Sequence, residues 1–142
     1  MKVVNQSVEL ILGLAKTQAM LTRRFDRGLG GLGLTEFTIL HHLSVAIDEK
    51  MRRIDLADKV GLTASGVTRL LLPMEKIGLV KSGKSEGDAR ARYVAIAPGG
   101  KRKLSEAIER MELLVDELLL GEKSTKIEKI TTFISELGRR AR

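Results

Sequence analysis

Short hydroxyl and guanidinium side chains recur at helical spacing in the middle of this sequence. Ala57 is followed four residues later by Gly61, and Val67 and Leu70 come after it. A helix-turn-helix needs a small residue where its helices cross, a glycine in the tight turn, and aliphatic residues that lock the crossing. Its second helix would present a hydroxyl and basic set that can reach base edges and phosphates in a major groove, namely Thr63, Ser65, Thr68 and Arg69. The alternative is an ordinary helical hairpin with a glycine turn.

A second group of basic residues follows this pattern. Residues 79–82 and 92–96 predict two short strands, and residues 83–91 between them are polar and contain glycine. The basic residues on and beside this loop are Lys81, Lys84, Arg90 and Arg92. A basic hairpin after a helix-turn-helix predicts a winged helix, whose tip can insert an arginine into the minor groove. Asp88 would orient Arg90 through charge-assisted hydrogen bonds; the alternative is an exposed ion pair of little energetic value.

The distribution of charge agrees with a polyanion-binding surface. The chain has 142 residues and a net charge of +7. Residues 52–103 contain 12 basic and five acidic residues, so this segment holds the whole excess and the rest is neutral. Localised basic charge is typical of nucleic-acid binding, although an uneven solvated surface would give the same count.

The apolar periodicity predicts the elements that position these side chains. A long amphipathic helix over residues 3–27 ends in a glycine cluster, and a second helix is capped by Thr35. A third helix is predicted over residues 54–60. A fourth begins at Thr63 and is expected to bury Ile77, and a fifth begins at Pro98. Thr125 and Glu128 predict a capping box for the last helix.

Several runs within residues 32–104 resemble the MarR family of bacterial and archaeal transcriptional regulators. RIDLADKVGLTASGVTRL (53–70) is similar to the family's helix-turn-helix, and PMEKIGLV (73–80) to the end of its recognition helix. GDAR (87–90) resembles the wing signature, in which one residue separates Asp from Arg. GLTEFTIL (33–40) resembles the start of the second helix, and AIAPGG (95–100) the end of a strand that opens the next helix.

The resemblance implies a mainly α fold with a small β-hairpin wing. It implies a winged helix-turn-helix domain over residues 31–98, flanked by dimerisation helices at 1–30 and 99–142. The expected partners are a second copy of the chain and a pseudo-palindromic double-stranded DNA operator. For such a dimer, the half-sites lie about 34 Å apart. Among the DNA contacts we expect Arg53 together with the residues already named.

The resemblance also implies a small anionic or aromatic effector. The residues expected near an effector cleft between the dimer helices and the DNA-binding lobe are Arg23, Arg24, Phe37, His41 and His42. A histidine pair on a helix is more often a partly exposed surface feature than a ligand site. Neighbouring residues on a helix also diverge, so both rings cannot face one way.

Other function classes find little support. The sequence has no cysteine, which excludes thiol chemistry, and its two histidines are adjacent. No nucleophile–base pair, metal-ligand spacing or phosphate loop is present, so we expect no enzyme, no metal and no cofactor. A cytoplasmic, nucleoid-associated protein without a membrane span is expected. We predict a sequence-specific regulator, most often a repressor; the alternative is an architectural or nonspecific DNA-binding protein of the same fold.

Overall fold

The structure, a computed structural model, describes residues 1–84, 87 and 92–142. This part of the chain is mainly helical, with one small sheet. The elements are α1 (Gln6–Gly28), α2 (Leu34–Ser44), a 3-10 turn (Ile47–Glu49), β1 (Lys50–Arg52), α3 (Arg53–Val60), α4 (Ala64–Lys76), β2 (Val80–Lys84), β3 (Arg92–Ile96), α5 (Pro98–Leu118) and α6 (Ser124–Arg140).

The chain forms two compact units, Met1–Met111 and Glu112–Arg142, and the boundary falls within α5. The predicted division at residues 30 and 98 is a division by role and stays a prediction. None of the described helices is long and apolar enough to cross a membrane.

The turn between α3 and α4 has the geometry that the glycine predicts. Gly61 adopts the left-handed conformation with φ 70°, which favours a residue without a Cβ atom. The amide of Leu62 donates to the carbonyl oxygen of Ala57 at 2.9 Å and so closes the end of α3. Val67 is fully buried and Ala57 nearly so. The predicted helix-turn-helix is therefore confirmed as an element of the fold.

The sheet contains a strand that the sequence did not predict. β3 lies in the centre and pairs antiparallel with β1 and β2, where an isolated hairpin was expected. β1 has only three residues, Lys-Met-Arg, too few for alternating polarity to reveal a strand. It follows Asp48 and Glu49, both of which have positive φ and turn the chain from α2 into the sheet.

Three predicted local contacts are wrong. Gly33, not Thr35, is the N-cap of α2, and the Asp26 carboxylate accepts a hydrogen bond from the Leu34 amide at 2.8 Å. The expected capping box of α6 is absent: Lys123 is the N-cap, without a side-chain hydrogen bond. Ile77, expected in the core, is 70% exposed because it follows the last turn of α4.

The core of the first unit gathers aliphatic residues from the helices and the sheet. Those with no exposed area are Ile39, Leu40, Leu43, Leu56, Val67, Leu71, Met74 and Val94. Burial of such side chains stabilises a fold by roughly 1.5–3 kcal/mol each. The side of α4 opposite its exposed residues is thereby anchored, which gives that face a fixed orientation.

The start of α5 packs against the chain between α4 and β2. The amide of Leu79 donates to the Met74 carbonyl at 2.9 Å, and the Ala97 amide donates to the Leu79 carbonyl at 3.0 Å. Gly100 is buried at this crossing. A Cβ atom added to it would overlap the carbonyl oxygen of Leu79 and lie 2.9 Å from Cγ1 of Ile96.

We expect Gly100→Ala to destabilise the protein by about 1–3 kcal/mol, because backbone and side chain must both shift to admit the methyl group. Chemical denaturation measures this loss. Gly138→Ala is the matched control, since a Cβ atom there meets nothing within 4 Å. It should be neutral or stabilise α6 by up to about 1 kcal/mol. Equal stability of the two variants would contradict the close approach at Gly100.

Candidate nucleic-acid interface

The N-terminus of α4 carries two exposed hydroxyl groups. Thr63 Oγ1 accepts a hydrogen bond from the Gly66 amide at 3.0 Å, which is the predicted N-cap. Ser65 Oγ lies 3.3 Å from Thr63 Oγ1. Both side chains are exposed beside the positive end of the helix dipole. This end of α4 is therefore suited to hydrogen-bonding an anion or the edge of a base.

One face of α4 continues this polar surface. Residues three and four apart on a helix share a face, so Thr68 and Arg69 follow Ser65 along α4. Arg69 is exposed and Thr68 is half-buried, whereas Val67 and Leu71 are fully buried. The structure thus places Ser65 and Arg69 on the exposed side of α4, with Thr68 half-buried at its edge.

Arg53 lies at the point where β1 enters α3, and its guanidinium group points to other protein groups. Nη2 donates to Ser82 Oγ on β2 at 2.8 Å, and Nη1 lies 3.4 Å from Thr68 Oγ1 on α4. Its Nε is buried and has no hydrogen-bond partner among the described residues. The sequence predicts Arg53 only as a DNA contact and carries no signal for these bonds, because their partners lie 15 and 29 residues away.

The strands of the wing bring basic residues close together. Lys81 and Arg92 are exposed, and in the register of the hairpin Lys84 pairs directly with Arg92. Asp88 and Arg90, predicted at the tip, lie outside the described residues.

A cavity of about 580 Å³ lies beside α3, at the end of α2. It is lined by His42, Val45, Ala46, Ile47, Asp48, Lys50, Met51, Arg52, Asp55, Lys59 and Tyr93. Of the predicted effector residues only His42 is among these; Arg23, Arg24, Phe37 and His41 are not. The strand β1 supplies three of the lining residues, and because it was not predicted, they were missed.

The two histidines differ in environment although they are adjacent. Their rings meet edge to face with centroids 5.2 Å apart; His41 is exposed and His42 half-buried. Burial lowers the pKa of His42 from its usual 6.5, and the nearby charges of His41 and Lys59 lower it further. Two other charged groups of the lining, Arg52 and Asp55, form an exposed ion pair at 2.8 Å.

The described residues contain no group of three or more His, Cys, Asp or Glu side chains that could hold a metal ion.

The elements of the candidate interface also match known proteins. Residues 32–91, which include α2, the helix-turn-helix and the first hairpin strand β2, match the family model described as the MarR family. Among curated proteins no sequence relative is found. Members of the MarR family are transcriptional regulators and not enzymes.

Solved structures share the whole fold. The transcriptional regulator BldR of Sulfolobus solfataricus is 27% identical with TM-score 0.80, covering 96% of this chain and 99% of its own. MOSR of M. tuberculosis, solved with DNA, is 24% identical with TM-score 0.79, at 92% and 94% coverage. PcaV of Streptomyces coelicolor, solved with its natural ligand, is 13% identical with TM-score 0.86, at 100% coverage of both chains.

The family match over the helix-turn-helix and the likeness of the complete fold agree with the basic, exposed face of α4. Residues 32–91 therefore carry a match to the MarR family, and the chain shares its fold with solved transcriptional regulators.

Proposed function

We propose that this protein is a DNA-binding transcriptional regulator, which binds a pseudo-palindromic operator as a homodimer and represses transcription until a small-molecule effector releases it. DNA binding is supported by Ser65 and Arg69, which are exposed on one face of α4, while aliphatic side chains on the opposite face are buried in the core. Lys81, Lys84 and Arg92 extend the basic surface along the hairpin. In this proposal Asp88 and Arg90 complete the wing and reach the minor groove.

A nonspecific architectural protein of the same fold is the alternative. It would bind DNA through the same basic residues, but would hold different sequences equally well. Electrostatic contacts to phosphates fall steeply with added salt in both cases, so salt dependence alone does not separate them. The ratio of specific to random binding at one fixed salt concentration does.

The first DNA prediction concerns Arg69. Arg69→Ala should weaken binding to the duplex that the wild-type protein selects from a random library by about 1–3 kcal/mol, and should also reduce discrimination against random duplex. Competition binding at physiological salt measures both. Arg27→Ala is the matched control, because this exposed arginine lies outside the basic segment and bonds its own helix. If wild-type protein binds selected and random duplex equally, the architectural alternative replaces the specific regulator.

The homodimer is supported by exposed apolar side chains on the terminal helices. No residue of α6 is buried, and Ile130, Phe133 and Ile134 are between 42% and 49% exposed. On α1, Val8, Ile11 and Leu12 are also exposed. Apolar surface of this kind marks an interaction site in a protein that stays in solution. A two-fold dimer would place two copies of α4 on half-sites about one turn of DNA apart.

We expect Phe133→Asp to convert the dimer into monomer at micromolar concentration, because burying a carboxylate in an apolar interface without a partner is costly. Sedimentation equilibrium measures the change. Ser135→Asp is the control: it introduces the same charge two residues away, at an exposed position on the side of the helix opposite Phe133. A wild-type protein that sediments as a monomer, or dimers equally stable in both variants, would contradict the role of this face.

The proposed effector is a small anionic or aromatic molecule. Support comes from PcaV, whose structure holds its natural ligand, and from the cavity beside α3, whose lining includes His42, Lys50 and Lys59. The Lys50 ammonium lies 5.9 Å from the centre of the Tyr93 ring, so cationic and aromatic groups meet there. Arg24, Phe37 and His41 stay predictions for the cleft towards the dimer helices.

His42 provides a test of this cavity. In the free protein its pKa, followed by NMR, should lie below 6.5, and benzoate as a probe anion should raise it towards the ordinary value. The folded state disfavours the proton, so stability should rise with pH in the window around and just below 6.5, and His42→Gln should flatten that rise. A His42 pKa unchanged by benzoate would exclude an anion in this cavity.

A further inference from the structure

We propose that Arg53 is a positioning residue that fixes the first wing strand against the recognition helix. This inference rests on the proposed function in one respect: α4 and the hairpin are taken to meet DNA. The alternative is the direct DNA contact that the sequence predicts for Arg53.

The hydroxyl group of Ser82 joins two residues of opposite charge. It accepts a hydrogen bond from Arg53 Nη2 at 2.8 Å, and it donates one to Glu75 Oε2 at 3.0 Å. Arginine can only donate and an ionised carboxylate can only accept, so the direction of the Ser82 hydroxyl hydrogen is determined. The Ser82 amide also donates to Glu75 Oε1, at 3.3 Å. The backbone amide and the side-chain hydroxyl of Ser82 are therefore both hydrogen-bonded.

The contacts join three elements of the fold, α3, α4 and β2. Arg53 is the first residue of α3 and follows β1 directly, whereas Ser82 lies in the middle of β2. Thr68 and Glu75, seven residues apart on α4, lie on one face of the helix two turns from each other. Arg53 reaches Thr68 at the upstream end of this face, and Glu75 holds Ser82 at the other. Arg53, Ser82 and Glu75 thus set the distance between α4 and β2.

The contacts of Arg53 lie beside residues proposed to meet DNA. Thr68 neighbours the exposed Arg69 on α4, and Ser82 neighbours the exposed Lys81 on β2. DNA accepts a helix in one groove and a wing beside it only at a fixed separation, so preorganising that separation avoids an ordering cost on binding. Arg53 acts through Thr68 and Ser82, because its guanidinium group donates its hydrogen bonds to these two hydroxyl groups and not to DNA.

The charge of Arg53 separates the two roles. A phosphate contact needs a cation, so Arg53→Lys would keep most of the affinity. A positioning role needs the planar guanidinium, which donates in two directions at once, so Arg53→Lys should lose as much affinity as Arg53→Ala. Both losses are measured on the duplex selected by the wild-type protein, with Arg27→Ala as the control that leaves affinity unchanged.

A double-mutant cycle gives the second readout. Arg53→Ala and Ser82→Ala should each weaken binding by about three- to tenfold, and the double variant should be no weaker than the weaker single variant. If Arg53 touches DNA directly, the two losses multiply. Thermal unfolding of every variant identifies any that fails to fold. Glu75→Gln keeps the shape of the side chain and tests the contact between Ser82 and Glu75.

The network is also tested without DNA. The Ser82 amide donates to Glu75, so its hydrogen exchange should accelerate in Arg53→Ala and in Glu75→Ala, which removes the acceptor, while the amide of Val67 in the core of α4 keeps its protection. Rescue by Arg53→Lys, multiplicative losses in the cycle, or unchanged exchange at Ser82 would overturn the proposal. A wild-type protein without sequence preference would refute the proposed function instead, and the exchange measurement would still decide the role of Arg53.

Discussion

The crossing of α3 and α4 is the constraint on which the rest of the structure depends. Gly61 reverses the chain at φ 70°, and Ala57 and Val67 let the two helices pack closely. With one side of α4 buried in the core, its other side must carry Ser65 and Arg69 into solvent. The same crossing brings Thr68 within reach of Arg53, and hence connects the helix-turn-helix to the hairpin.

Much of the fold could be predicted because its signals are local. The end of α3 at Gly61, the cap at Thr63 and the start of α5 at Pro98 each depend on residues within one helical turn. β1 could not be predicted, since three residues show no period and the strand exists only by pairing with β3. The predicted caps of α2 and α6 were wrong for a related reason. A hydrogen bond from the Leu34 amide to Asp26 stabilises the start of α2, and no side chain caps α6.

The candidate interface divides in the same way. The exposed face of α4 follows from helical spacing, so Ser65 and Arg69 were found from the sequence. The interactions of Arg53 with Ser82 and Thr68 join residues that no periodicity relates. The cavity beside α3 was missed with β1, which supplies part of its lining. Charge is the exception among long-range features, because the excess of +7 over residues 52–103 falls on α3, α4, the hairpin and the start of α5.

In the proposed complex, α4 and the hairpin form the surface that meets DNA. An NMR titration of isotopically labelled protein with the selected duplex tests this, read as amide shifts along the chain. We expect the largest shifts at Thr63, Ser65 and Arg69 and in β2 and β3, with little change at the exposed amides of α6. Largest shifts in α1 or α6, with α4 unaffected, would contradict it.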